Sequence, residues 1–89
     1  MSTFAQGNAD ADIAYWICPP REDFRHATTH RPGALQHGST ITALGGCDLK
    51  IPWSTPYGAT PRSKNVIDEC PKCAKAVLHQ GLVSRTWDF

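Results

Sequence analysis

The sequence predicts an α+β domain, an antiparallel sheet of about three strands followed by one short C-terminal helix. Three observations carry this. Short runs rich in aromatic and β-branched residues recur in the first half of the chain, each closed by Pro or Gly. Near the other end, Cys70-Pro71-Lys72-Cys73 opens a stretch that suits a helix and stops at Gly81. The chain has only 89 residues, and a domain of that size buries a modest share of its surface and often needs a staple.

Met1 to Asp12 is small, polar and carries two aspartates, so it reads as a disordered leader, with one domain expected over 13–89. It lacks the positive start and apolar run of a secretory signal. No stretch approaches the length of a membrane span. A cytoplasmic protein is therefore expected.

Ile13-Ala14-Tyr15-Trp16-Ile17-Cys18 is the first expected strand, ended by Pro19-Pro20, which a strand interior does not tolerate. Phe24 to Thr29 is the second, with Phe24, His26 and Thr28 on one face and Arg25, Ala27 and Thr29 on the other. After a turn at Pro32-Gly33, Thr40 to Leu44 forms the third and runs into Gly45-Gly46-Cys47. Residues 51 to 63 hold Pro52, Pro56 and Pro61 and read as an irregular packed loop whose Trp53 and Tyr57 cover the core. Pro71 suits a first helical turn, so a helix is expected from Pro71 to Gln80. The strand-like tail from Leu82 to Phe89 closes a small sheet or frays. The expected core is Tyr15, Ile17, Phe24, Ile41, Leu44, Val66, Val77 and Leu78.

The formal net charge is +1 with 19% charged residues, so no global field points to nucleic acid or an anionic membrane. In a reducing compartment the four cysteines read as metal ligands or free thiols rather than as two disulfides. Cys70 and Cys73 have the spacing of half a tetrahedral zinc site, because the turn converges both sulfurs on one ion while backbone amides face them. Two further ligands must come from Cys18, Cys47, His26, His30, His37 and His79.

Cys47 follows two glycines that permit the positive backbone angles and close approach of a metal-binding knuckle. His26 lies on the second strand, which would pair with the strand leading into Cys47, and so is the favoured fourth ligand. Cys18 is its rival as a fourth thiolate, and as a buried free thiol it would behave as a small hydrophobe. His79, on the helix after the knuckle, is a third option. His30 and His37 flank a Pro-Gly turn and read as solvated.

The order Tyr15-Trp16, Phe24-Arg25-His26-Ala27, Thr42-Ala43, Gly46-Cys47 and Cys70-Pro71-Lys72-Cys73 resembles a group of small zinc-ribbon-like zinc-finger proteins common in actinobacteria. The resemblance implies one Zn2+ held by His26, Cys47, Cys70 and Cys73, with Cys18 left free. In that group a glycine usually follows the first cysteine, whereas here Asp48 does.

A site closed by four protein ligands has no open position, so it stabilises a fold rather than catalysing a reaction, and no enzyme is expected. Zinc would then contribute folding free energy directly. Lys72 and Lys75 would offset the negative charge of three thiolates or simply face solvent. The partner would be a macromolecule of unknown identity: nucleic acid through Arg21, Arg25, Arg31, Arg62, Lys64, Lys72, Lys75 and Arg85, or a protein through Trp53, Tyr57 and Trp87. The alternative is a thiol-based redox or metal sensor, or an iron-sulfur protein using all four cysteines. An active dithiol at Cys70 and Cys73 lacks the βαβ context such enzymes have. Hydrolysis with Asp68 or Glu69 as base would need an open metal position.

Overall fold

Ile13–Ile17 forms β1, the central strand of a three-stranded sheet, flanked by β2 (His26–Thr28) and β5 (Val83–Trp87). Its central place explains its composition: Ala14, Tyr15, Trp16 and Ile17 are all buried, and a strand covered on both faces has no use for alternation. The computed structural model describes residues 13–89; the leader expected over 1–12 lies outside the described residues.

On one side β1 pairs antiparallel with β2 (His26–Thr28), placing Ile17 opposite His26 and Trp16 opposite Ala27. On the other it pairs in parallel with β5 (Val83–Trp87), from Ile13 opposite Val83 to Ile17 opposite Trp87. The α+β class holds, but the third strand of this sheet comes from the tail. Thr40–Thr42 instead forms β3, which among the described residues pairs with β4 (Asp48–Lys50) in a separate antiparallel ribbon. The ribbon joins the sheet through the Leu44 amide, which donates to the Ala27 carbonyl at 2.8 Å.

The helix α1 spans Pro71–Gln80, with Cys70 as its extended N-cap and Gly81 in the left-handed conformation beyond its end. The Leu82 amide reaches back to the Val77 carbonyl at 3.1 Å, so the helix ends in a Schellman-type cap that only glycine adopts without strain. Cys73 and Val77, one turn apart, face the core. Leu78, expected inside, is rotated off that face and is 83% exposed.

The core gathers Ala14, Trp16, Ile17, Ala27, Ala43, Leu49, Ile51, Cys70, Cys73 and Val77. Full burial of Leu49 and Ile51 stabilises by about 1.5–3 kcal/mol each. Ile41 and Leu44 pack against this cluster only partly buried, and Val66 is also half-buried. Phe24, just before β2, is 39% exposed and packs edge-to-face with the His26 ring at 5.2 Å. Trp53 and Tyr57 do not cover the core: Tyr57 is fully exposed and Trp53 mostly so, stacked at 5.7 Å on His37.

Arg25 reverses the expectation for a basic residue. It is 3% exposed, and its guanidinium donates to the carbonyls of Val66, Trp16, Trp87 and Ser63 and to Asp88 Oδ1. All five of its N–H donors are thereby used. Arg25 is not available to nucleic acid; it joins β1, the 62–66 segment and the C-terminal tail.

Candidate metal centre

The site forms where three backbone segments meet. The Arg25 amide donates to the Asp68 carbonyl, and the Cys70 amide donates to the Arg25 carbonyl, both at 2.8 Å. This short parallel bridge between Arg25 and Glu69 sets His26 and Cys70, the next residues along, beside one another. The third segment is the turn from Ala43 to Cys47 that links β3 to β4. It is closed by the Ala43 amide to the Cys47 carbonyl at 2.7 Å and the Gly46 amide to the Ala43 carbonyl at 2.9 Å.

The two glycines of that turn have different duties. Gly46 has a φ of +86°, which glycine adopts at no steric cost. Gly45 is needed for close approach: a Cβ there would lie 2.6 Å from the Cys73 backbone nitrogen and 2.7 Å from the Lys72 carbonyl carbon. Both obstacles are backbone, so no side chain is tolerated while the turn rests on the knuckle.

His26, Cys47 and Cys70 bring their ligand atoms within 4.8 Å of one another. This is a group of residues able to hold a metal ion. Cys73 falls outside this mutually close trio yet touches two of its members: its sulfur is 3.8 Å from His26 Nδ1 and in hydrogen-bond contact with Cys70. The 3.8 Å separation is near the edge of a tetrahedral zinc site, about 3.6 Å for the usual Zn–S and Zn–N bond lengths.

The backbone is arranged to receive negative sulfur. Burial works against ionisation of Cys70, but the Cys73 and Lys72 amides and the neighbouring Cys73 and Cys47 thiols outweigh it, holding the Cys70 thiol below its ordinary range. At Cys73 burial wins and pushes the thiol up, although the Ala27 and Gly45 amides face its sulfur and oppose the shift. A cation among these sulfurs would supply the charge that burial alone withholds. Lys72 and Lys75 are exposed on the outer face of α1.

The His26 ring is held on several sides. It is buried, with Phe24 edge-on at 5.2 Å and Glu22 Oε1 at 3.1 Å from Nε2. Glu22 has no obvious signal in the sequence, since it lies in a turn after Pro19-Pro20 without helical spacing to lend it meaning.

The other candidates lie elsewhere. Cys18 is buried, its thiol donating to the Glu22 carbonyl at 3.1 Å while Arg62 Nη2 lies 3.7 Å from its sulfur. Burial pushes the Cys18 thiol up despite the opposing charges of Arg62 and Arg25. His79 is exposed on α1. His37 is held between the Pro52 carbonyl and Ser54 Oγ, and His30 is exposed. All four cysteines are free, with no disulfide among them. Asp68 and Glu69 are exposed, and their backbone rather than their carboxylates serves the site.

No helix among the described residues is long and apolar enough to cross a membrane. The chain matches no protein-family model, no curated protein and no solved structure.

Proposed function

We propose that this protein is a structural zinc module, of the one-histidine, three-cysteine kind its motifs resemble, in which His26, Cys47, Cys70 and Cys73 hold one Zn2+. The observation that carries the reading is the meeting of His26, Cys47 and Cys70 within 4.8 Å, three residues far apart in sequence and drawn from three segments. The 3.8 Å contact of Cys73 with His26 supports Cys73 as the fourth ligand. Three sulfurs and one imidazole nitrogen form a donor set that suits zinc. The distance of Cys18 from this group, with its thiol engaged by the Glu22 carbonyl, argues against a four-cysteine iron-sulfur centre.

Zinc supplies a cross-link between the helix, β2 and the β3–β4 turn, and with four protein ligands it leaves no position for a substrate. The reading is accordingly that of a non-enzymatic module, and its thiolate centre suits the reducing cytoplasm. Its role is to present a surface to another macromolecule. Burial of Arg25 subtracts one cation from the scattered basic set, while Trp53, Tyr57, Ile67, Leu78, Val83 and Trp87 stand exposed. That balance favours a protein partner over nucleic acid.

Chelation tests the reading. A strong chelator is expected to abolish the near-ultraviolet circular dichroism that the buried Trp16 gives in the folded state, and added zinc is expected to restore it. A chain that keeps this signal after complete removal of metal would sink the structural role.

A further inference from the structure

Resting on the four-residue zinc centre proposed above, we infer that Glu22 is a positioning residue for the metal: it fixes the His26 tautomer so that Nδ1, not the commoner Nε2, is the ligand atom. The two ring nitrogens of His26 have different neighbours. Nδ1 faces Cys73 Sγ at 3.8 Å, and the Cys73 thiol in turn meets that of Cys70. Nε2 lies 3.1 Å from Glu22 Oε1. A carboxylate accepts but does not donate, so Nε2 carries the proton and donates it to Glu22. The Nδ1 lone pair is then free to meet the ion, and the carboxylate behind the ring raises its basicity.

The turn that carries Glu22 is pinned as a positioning group requires. The Glu22 amide donates to the Pro19 carbonyl at 3.3 Å. The Glu22 carbonyl accepts from the Cys18 thiol at 3.1 Å and from Arg62 Nη2 at 2.8 Å. Arg21, just before it, has a φ of +67°, a backbone angle that residues other than glycine rarely take. Cys18 and Arg62, which have no place in the metal centre itself, thus acquire a task in holding its outer carboxylate.

The test is long-range 1H–15N NMR of the zinc-loaded protein, together with zinc affinities measured by competition with a chromophoric chelator. His26 is expected to show a metal-bound Nδ1 and a protonated Nε2. Glu22→Leu is expected to weaken zinc binding about 10–100-fold, and Glu22→Gln, which keeps an acceptor oxygen, to recover most of that loss. Zinc bound through Nε2, or an affinity in Glu22→Leu unchanged from the parent, overturns this inference alone. A protein that binds no zinc overturns it together with the reading on which it rests.

Discussion

Cys73→Ser is expected to leave the chain unfolded at a zinc concentration that saturates the parent protein, whereas Cys18→Ser stays folded and loaded. Cys73 has no exposed surface, and its sulfur meets the Ala27 and Gly45 amides, the Cys70 thiol and the His26 ring. It stands where the helix, β2 and the β3–β4 turn converge. Structural zinc contributes about 10–16 kcal/mol of apparent binding free energy at neutral pH. The net stability of a small domain is about 5 kcal/mol, so losing even part of the metal's contribution decides between folded and unfolded. A hydroxyl at position 18 still donates to the Glu22 carbonyl, as the thiol does. Thermal melts of the two variants with zinc present check the contrast; a cooperative melt for Cys73→Ser near that of the parent would contradict it.

Arg25→Met is expected to cost about 3–5 kcal/mol in the metal-loaded protein, the usual penalty for removing one partner of a buried ion pair. It leaves Asp88 without its 2.7 Å partner and strips a donor from the carbonyls of Trp16, Ser63, Val66 and Trp87. Arg25→Lys keeps the charge but offers three donors from one atom in place of a five-donor fork, so it stays well below the parent. Burial alone would raise the Asp88 pKa, yet hydrogen bonds from Ser63 and Arg25 hold it below the usual carboxylate value. A depressed carboxylate contributes stability that is present above its unfolded pKa, near 4, and is lost as pH falls through the folded value. Denaturant midpoints at neutral pH therefore report the full effect, and a shift of less than 1 kcal/mol, the order of a surface pair, would contradict the role given to Arg25.

The features legible in the sequence are those written locally. Pro71 and Gly81 mark both ends of α1 because one tolerates the missing amide and the other the left-handed angle. Cys70 and Cys73 belong to a turn whose spacing brings both sulfurs to one side, and Gly45-Gly46 signals a tight approach before Cys47. His26 was reached through strand alternation and an expected pairing of its strand with the strand leading into Cys47; the alternation held poorly, since Arg25, His26, Ala27 and Thr28 are all buried, and the pairing did not hold, since β2 pairs with β1 and β3 with β4.

What stayed hidden depends on partners distant in the chain. The burial of Arg25 rests on residues 16, 63, 66, 87 and 88, and nothing beside it in sequence announces them. β4 is three residues long with only Leu49 buried, too short for a period to register. The parallel pairing of β5 with β1 spans nearly the whole chain, so the tail's place in the sheet has no local signature. Glu22 was invisible for a similar reason: its meaning lies in how a turn sets it behind the imidazole.

X-ray absorption at the zinc edge, on protein carrying one equivalent of zinc, distinguishes a centre of one nitrogen and three sulfurs from any other ligand set. The expected shell has three sulfurs at about 2.3 Å and one nitrogen at about 2.0–2.1 Å. A shell of four sulfurs, which would bring in Cys18, or one containing water oxygen, which would open the site, would contradict it.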